Sequence, residues 1–500
     1  MDLLSNLVLG FSVAMTPDNL LFCFLGALLG TIIGVLPGIG PIATIAMLLP
    51  LTFGLTPEAS LIMLAGIYYG SQYGGSTTAI LVNMPGEASS VVTTIDGYQM
   101  ARRGQAGPAL VAAGLGSFVA GTFATILIAL VAKPLTWVAL SFGAPEYFAL
   151  LTVGLISSIA LASGSAIKAL GMICLGLLLG LTGTDIYTGM PRFTFGITEL
   201  SDGLEFAAVA VGLFGIGEIL RNLESSGSGP AISQVGSMWP TRNELVRIAG
   251  PVARGSVLGS VLGILPGGGA LLAAFAAYNL EKKVSRFRHE MGQGAIEGVA
   301  APEAANNAAA QTSFIPMLSL GIPANVSMAL MIGAMMIHGL APGPNIVTTK
   351  PGLFWGIVAS MWIGNAMLLI LNVPLVGIWI SLLRVPYRYL YLAVVAFCCI
   401  GVYSFSNSSL TVLIVAAAGL AGYGFVKLDC ELAPFVLGFV LGPLLEEYLR
   451  RALIISDGDP TVFFTRPISG TLMALAVAIL IVVTLPAVTR KRKTVFVEKA

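Results

Sequence analysis

The sequence predicts an all-α polytopic membrane protein built from two inverted-topology repeats, and three observations support this class. Of its 500 residues, 56% are hydrophobic and only 10% are charged, so the apolar share exceeds that of globular proteins and the charged share falls far below theirs. Apolar stretches recur along the whole chain. Two of them, one in each half, run into a proline-glycine break at residues 34–41 and 263–269.

The apolar stretches give the predicted membrane segments in chain order. A stretch of about 20 residues spans a bilayer, and a shorter one is typical of a broken helix or a re-entrant segment. The stretches cover residues 20–36, 58–70, 106–132, 146–166, 169–184, 204–220, 255–265, 270–280, 326–340, 352–380, 388–404, 409–426, 432–446 and 468–488.

The two proline-glycine breaks predict a cavity at membrane depth. Inside lipid every backbone N–H and C=O group needs a partner, and a break frees several of them unless it lines a binding cavity. Matched breaks in the two halves of a chain are typical of secondary transporters that consist of two structural repeats.

Landmarks follow one another in the same order in both halves, which predicts a duplication. Pro37 aligns with Pro266, and Pro85 aligns with Pro323. A polar segment near the middle of the chain separates the halves. The predicted units are a first transmembrane repeat at residues 1–225, a cytoplasmic linker at 226–250, a second transmembrane repeat at 251–455, and an extra C-terminal transmembrane helix with a basic cytoplasmic tail at 456–500.

The placement of positive charge predicts that the repeats are inverted. The loop at residues 282–288 carries four Lys or Arg residues, whereas its counterpart at 52–57 carries none. Because Lys and Arg are enriched in cytoplasmic loops, we expect these two loops on opposite sides of the membrane. With Arg254 and Lys282 both cytoplasmic, the intervening stretch is too short for two spans. It predicts a re-entrant hairpin that turns at residues 266–269, and the break at 34–41 is expected to enter from the other side.

A second polar stretch lies beside each break, and we expect it to be irregular. In the first half it covers residues 69–78 and 83–86, and in the second half 302–307, 311–313 and 321–325. Hydroxyl and N–H groups donate to a carboxylate, while amide and carbonyl oxygens coordinate a small cation. Interhelical hydrogen bonding is the alternative role of such residues. Their clustering beside both breaks favours a binding site.

Donor and acceptor chemistry then assigns the candidate residues. The substrate-binding candidates are Pro37, Gly38, Gly40, Ser76, Thr77, Thr78, Pro266, Gly267, Gly268 and Gly269. The coupling-cation candidates are Asn83, Gly86, Asn306, Asn307, Pro323 and Asn325. Glu87 and Glu303 adjoin these residues, and they are candidates for relaying a proton or holding a cation because ionisable groups at membrane depth tend to be functional.

Several other classes of protein are excluded. The net charge of +1, without a basic patch, argues against a nucleic-acid-binding protein. Five cysteines without CxxC spacing and two distant histidines predict neither a disulfide framework nor a metal centre. Without a nucleophile-base pair no enzyme is expected, so the sequence predicts no catalytic residue, no cofactor and no metal other than a transported Na⁺. An anion channel stays open as an alternative because channels also use polar re-entrant breaks.

Three long runs carry a resemblance to a known family. They cover residues 34–53, 69–110 and 303–325, and they include GVLPGIGPIATIAMLLPLTF, YGSQYGGSTTAILVNMPGEASS and EAANNAAAQTSFIPMLSLGIPAN. The chain resembles the large membrane subunit of the tripartite tricarboxylate transporters over nearly its whole length. One departure is that Ala324 follows Pro323 where the first half has Gly86 after Pro85.

The resemblance implies a function and partners. It implies a permease that imports carboxylates such as citrate across the bacterial inner membrane, driven by a gradient of Na⁺ or H⁺. A small membrane subunit and a periplasmic substrate-binding protein would complete the system. A channel, by contrast, would need no binding protein, and its flux would be independent of a coupling ion.

Overall fold

The computed structural model describes residues 3–36, 40–161, 165–185, 187–224, 236–265, 269–343, 346–383 and 387–484. Almost every element in these ranges is a helix, and six helices are long and apolar enough to cross a membrane. These six are Pro17–Val35, Ala106–Ala132, Arg242–Ile264, Pro351–Asn372, Ser409–Lys427 and Leu432–Ile455. The all-α polytopic class is thereby confirmed.

The helices follow one another with short connections. They are α1 Leu3–Ala14, α2 Pro17–Val35, α3 Pro41–Thr52, α4 Pro57–Val82, α5 Val91–Arg102, α6 Ala106–Leu140, α7 Ala144–Leu161, α8 Ala166–Gly180, α9 Phe206–Ala210, α10 Gly217–Glu224, α11 Arg242–Ile264, α12 Gly269–Val284, α13 Glu297–Thr312, α14 Phe314–Leu320, α15 Val326–Ile337, α16 Ile346–Thr349, α17 Pro351–Asn372, α18 Val376–Leu382, α19 Tyr387–Ser406, α20 Ser409–Lys427, α21 Leu432–Ile455, α22 Val462–Thr465 and α23 Pro467–Thr484. A π-helical stretch, Val211–Ile216, joins α9 to α10, and 3₁₀ turns lie at Ala88–Ser90 and Thr198–Leu200. Two short antiparallel strands, β1 Gly183–Thr184 and β2 Pro191–Arg192, form a hairpin.

Both predicted breaks separate helices. Helix α2 ends at Val35 and α3 begins at Pro41, while α11 ends at Ile264 and α12 begins at Gly269. A proline at the first position of a helix and a glycine before it both favour a new helix start, as Gly40 and Pro41 illustrate. The substrate candidates Pro37, Gly38, Pro266, Gly267 and Gly268 lie outside the described residues.

The helix before each break, α2 or α11, carries a stripe of glycines. Through this stripe it packs against the second helix after the break, which is α4 or α13. Without side chains the backbones approach until a Cβ would overlap a facing carbonyl oxygen. On α2, a Cβ at Gly26, Gly30 or Gly34 would lie 2.3, 2.5 or 2.4 Å from the carbonyl oxygens of Met63, Ile67 and Ser71 on α4. On α11, a Cβ at Gly255, Gly259 or Gly263 would lie 2.5, 2.3 or 2.4 Å from those of Ala301, Ala305 and Ala309 on α13. The same helix pairing therefore occurs in both halves.

Helices α11 and α12 form an antiparallel hairpin. Arg254 on α11 donates two hydrogen bonds to Glu281 on α12, from Nε to Oε1 at 2.6 Å and from Nη2 to Oε2 at 2.8 Å. At about 1.5 Å of rise per residue, both side chains lie roughly 15 to 18 Å from the break, so the two arms run in opposite directions. Helix α11 begins at Arg242, so residues 242–250 are helical although they fall in the segment assigned to the linker. The depth of the hairpin in a membrane stays a prediction.

Cysteine labelling tests the inverted topology. Lys283 is exposed, and Gly54 is exposed with no atom within 4 Å of an added Cβ, so both positions accept a cysteine without strain. In a cysteine-free background we expect Lys283→Cys to react with a membrane-impermeant maleimide only from the cytoplasm and Gly54→Cys only from the periplasm. Gln105→Cys, in another exposed loop, is the control and should react from the cytoplasm. Labelling of positions 54 and 283 from the same side would contradict the inverted repeats.

Candidate functional site

Residues 69–78 of the first polar stretch lie within a continuous helix, contrary to the expectation that they are irregular, whereas residues 83–86 form a loop as expected. Helix α4 starts at Pro57, where the Thr56 hydroxyl accepts a hydrogen bond from Ala59 N at 3.3 Å, and it continues unbroken to Val82. Its glycines bring the helix close to α2 instead of breaking it, since a Cβ at Gly74 would lie 2.4 Å from Thr31 O. The second stretch is likewise helical over 302–312, and it becomes irregular only at 321–325.

A tight loop follows α4 and brings Glu87 to the first polar stretch. Asn83, in the left-handed conformation at φ 56°, ends the helix. Gly86 lies so close to α2 that a Cβ would be 1.9 Å from Gly34 O, so only glycine fits there. Glu87 then begins the 3₁₀ turn, and it accepts a hydrogen bond from Ser89, whose hydroxyl also lies 3.0 Å from Gln72 Oε1 on α4.

The second polar stretch presents three side chains on one face of α13. Glu303, Asn306 and Asn307 are three and four residues apart, which places them side by side on a helix. Glu303 is fully buried, and it accepts hydrogen bonds from Ser76 Oγ on α4 at 2.5 Å and from Thr93 on α5. The structure therefore joins the polar residues of the two halves around one carboxyl group.

The two asparagines extend this polar cluster. Asn306 Nδ2 donates to Glu87 Oε1 at 3.3 Å, and Asn307 Nδ2 donates to Ser117 Oγ on α6 at 2.7 Å. The side-chain oxygens Asn306 Oδ1 and Asn307 Oδ1 are buried, and neither has a hydrogen-bond partner among the described residues. Unsatisfied buried oxygens are costly, so these atoms mark positions where a further donor or a cation would be stabilised.

A small cavity adjoins the cluster and is lined in part by Thr77. Its volume is about 10 Å³, which is room for about one water molecule. The lining residues are Tyr73, Ser76, Thr77, Leu110, Ala113, Gly114, Ser117 and Asn372. The hydroxyl of Thr78, by contrast, donates within its own helix to Gly75 O at 3.0 Å. Of the three hydroxyl candidates on α4, Ser76 and Thr77 thus face the cavity and Thr78 does not.

The described tip glycines combine open space with helix N-termini. Gly40 caps α3 and Gly269 begins α12, and a Cβ added to either would meet no atom of the described residues within 4 Å. Gly269 has φ +51°, the left-handed conformation expected for a tip glycine. The first N–H groups of a helix lack intrahelical partners and carry partial positive charge, which favours an anion.

Asn325 and Pro323 lie at the start of α15. Asn325 caps this helix, accepting from Met328 N through Oδ1 at 3.0 Å, and its Nδ2 donates to the Tyr68 hydroxyl at 3.0 Å. Its acceptor is thus occupied by the cap, whereas those of Asn306 and Asn307 are not. Asn83 is exposed at the end of α4. Among the cation candidates, the structure brings Asn306 and Asn307 to the buried carboxyl of Glu303.

Sequence reasoning named Glu87 and Glu303 but missed Thr93 and Ser117. Thr93 contacts Glu303 from α5, and Ser117 contacts Asn307 from α6. Neither lies beside a proline-glycine break or in a polar run, so nothing local distinguishes them from hydroxyls that bond their own helix. Only the packing of α5 and α6 against α13 shows their role.

A buried polar cluster between the helices of a polytopic α-helical protein is typical of membrane transport proteins. The sequence model of the Tripartite tricarboxylate transporter TctA family matches residues 20–437, and the chain belongs to this family. The resemblance found in the sequence is thereby confirmed.

Two curated proteins from Agrobacterium vitis are similar to the chain. The "Uncharacterized 52.8 kDa protein in TAR-I ttuC' 3'region" is 59% identical over 500 residues, covering 100% of both chains. The "Uncharacterized protein in TAR-II ttuC' 3'region" is 56% identical over 240 residues, covering 48% of this chain and 99% of its own. No solved structure matches the chain significantly.

Proposed function

We propose that the protein is the large permease subunit of a tripartite secondary transporter that imports carboxylates across the bacterial inner membrane. The single observation that supports this most strongly is the match of residues 20–437 to the family. A periplasmic binding protein delivers the carboxylate, a small membrane subunit completes the complex, and a gradient of Na⁺ or H⁺ drives accumulation.

The helix starts after the two breaks support an anionic substrate. Both α3 and α12 begin at a break, and the glycine there leaves space for close approach to backbone N–H groups. In secondary transporters, half-helix N-termini of this kind point at anionic substrate groups near the midplane. The substrate lies between the two tips and the Ser76 and Thr77 hydroxyls. The cavity beside Thr77 holds only about one water, so it must widen to admit a carboxylate.

The matched glycine stripes support an architecture of two repeats. Helices α2 and α4 pair across the first break as α11 and α13 pair across the second. With the charge placement in the loops, this pairing favours inverted repeats whose hairpins are re-entrant. Alternating access then consists of movement of one repeat against the other around the polar cluster.

Uptake assays with single variants test the proposed roles. The purified complex is reconstituted in proteoliposomes with its binding protein and a carboxylate chosen by a binding screen of di-, tri- and aromatic carboxylates against that protein. We expect Thr77→Ala to raise the substrate KM about tenfold, which is the effect of losing one hydrogen bond of about 1.4 kcal/mol. We expect Asn306→Ala to raise the cation concentration for half-maximal uptake.

Thr78→Ala is the matched control, since the Thr78 hydroxyl bonds its own helix and should leave both parameters unchanged. Equal shifts in Thr77→Ala and Thr78→Ala would contradict the substrate assignment. Wild-type flux that responds to neither Na⁺ nor a pH gradient would refute coupled transport and favour the channel.

A further inference from the structure

Two carboxyl groups in the polar cluster have no basic partner in the described part of the chain. Glu303 is fully buried and Glu87 is partly exposed, and no Lys, Arg or His among the described residues forms an ion pair with either. Two other buried glutamates differ in this respect, since Glu297 pairs with Arg247 at 2.7 Å and Glu281 pairs with Arg254 at 2.6 Å. A buried, unpaired carboxylate is costly, so such a group takes up a cation or a proton.

The charged groups on the helices around Glu303 are engaged elsewhere. From α11, Arg247 holds Glu290 and Glu297, and Arg254 holds Glu281 of α12. On α5, Asp96 accepts from the backbone N–H groups of Gly292, Gly294 and Ala295 and from the Tyr278 hydroxyl of α12.

Among the described residues, the remaining titratable neighbours add no positive charge. From α4, the Tyr73 hydroxyl donates to Asn365 Oδ1 at 2.6 Å. Lys282 and Lys283 are exposed at the end of α12, and Arg102 is exposed at the end of α5. Asn306 is a hydrogen-bond partner of both Glu87 and Glu303. In the described part of the chain, Glu87 is the one ionisable group that shares a partner with Glu303 in this way.

The hydrogen-bond inventory favours a proton on Glu303. Ser76 has a single hydroxyl proton, yet its Oγ lies 2.9 Å from Gln72 O and 2.5 Å from Glu303 Oε2, and both of these are acceptors when Glu303 is ionised. With a proton on Oε2, Glu303 donates to Ser76, and Ser76 donates to Gln72 O. Thr93 still donates to Oε1, so every short contact has one proton.

We propose that Glu303 is the binding site of the coupling proton, with Glu87 as its partly exposed entry point and Asn306 between them. The inference rests on the proposed function, because the proton bound by Glu303 is the one whose gradient drives carboxylate import. Glu303 gains the proton as an O–H bond at Oε2 and releases it to Glu87 or water, so charge and atoms balance. Asn306 is 1% exposed, and its Oδ1, which has no partner among the described residues, accepts from a protonated carboxyl during transfer.

A proton suits this site better than a metal ion. Hard cations such as Ca²⁺ and Mg²⁺ need a shell of about six oxygens, and alkali cations are likewise held by several. In the cluster, both Glu303 oxygens already contact hydroxyl groups, and the buried free acceptors among the described residues are only two amide oxygens, Asn306 Oδ1 and Asn307 Oδ1. A proton needs only one donor and one acceptor.

Infrared difference spectroscopy of the purified protein in lipid nanodiscs tests the proposal without any substrate. In Na⁺-free buffer at neutral pH we expect the C=O stretching band of a protonated carboxyl, and we expect Glu303→Gln to remove it. Glu297→Gln is the matched control, since Glu297 is equally buried on the same helix but paired with Arg247, which keeps Glu290 as a second partner. This control should retain the band.

If Glu303→Gln fails to fold, Glu87→Gln serves instead, and it should keep the band while changing the pH dependence of the band.

Transport by the same variants separates this proposal from the proposed function. For one proton per substrate, an imposed pH difference of one unit supports about tenfold accumulation in wild type, and Glu303→Gln should reduce the ratio to about 1 while retaining substrate counterflow. A band that is absent in wild type, or that persists in Glu303→Gln, overturns the proton site. Carboxylate bands that respond to added Na⁺, without a protonated band beforehand, overturn it in favour of sodium. A band that is lost in Glu303→Gln supports the site even if no carboxylate is transported, in which case only the proposed function fails.

Discussion

Alanine at Gly34 is expected to prevent stable folding. The new Cβ would lie 2.4 Å from Ser71 O and 2.9 Å from Gly75 N, and both are backbone atoms that cannot move aside as a flexible side chain can. Overpacking of a rigid contact costs about 3 kcal/mol, and here the whole α2–α4 pair must separate to relieve it. We expect the variant to lose its monodisperse peak in fluorescence-detected size-exclusion chromatography and its cooperative thermal transition.

Gly40→Ala is the control for this substitution, because a Cβ at Gly40 meets no atom within 4 Å in the part of the chain that the structure describes. It should fold as wild type does. Gly259→Ala, in the equivalent stripe of the second half, should fail as Gly34→Ala does, since its Cβ would lie 2.3 Å from Ala305 O. A Gly34→Ala protein with wild-type thermal stability would show that α2 and α4 do not pack at this distance.

Arg254→Ala is expected to destabilise the α11–α12 hairpin by about 2 to 3 kcal/mol, since it leaves the buried carboxylate of Glu281 without its partner, and the loss is smaller than for a fully buried pair because the Arg254 side chain is 38% exposed. Thermal unfolding in detergent without urea, followed by tryptophan fluorescence, measures the loss of stability. Arg254→Lys keeps a charge but cannot form both hydrogen bonds in one plane, so it should recover only part of the stability.

Arg451→Ala provides the comparison for an exposed ion pair. Arg451 and Glu447 lie 3.0 Å apart, with 54% and 36% of their side chains exposed, and such pairs contribute at most about 1 kcal/mol. We expect Arg451→Ala to shift Tm so little that the folded fraction at the assay temperature does not change. Equal losses of thermal stability in Arg254→Ala and Arg451→Ala would show that Arg254 does not stabilise the buried carboxylate of Glu281 in the folded state.

The sequence was sufficient to locate the helix breaks. Proline and glycine act locally, on the backbone of their own residues, so the ends at Val35 and Ile264 follow directly from residues 34–41 and 263–269. The start of α11 was not predictable in this way. Arg247 and Arg254 give its first half the composition of a linker, but acidic residues distant in sequence neutralise them.

The polar cluster was predicted in composition but not in geometry. Ser76 and Glu303 both belong to the predicted polar stretches, yet their contact joins residues from opposite halves of the chain. Such a pairing depends on how α13 packs against α4 and α5, and no periodicity within either stretch encodes it. For the same reason the sequence suggested an irregular segment at 69–78. Glycines that permit close helix packing are indistinguishable, in sequence alone, from glycines that break a helix.

The contact between the halves has a consequence for biogenesis. Ser76 and Thr93 leave the ribosome long before Glu303, so the hydroxyls of α4 and α5 enter the membrane without the carboxyl group that they contact in the finished protein. A product that ends between the halves leaves this polar surface facing lipid or a chaperone. The hydroxyls of α4 and α5 gain their carboxyl partner only when α13, from the second half of the chain, packs against them.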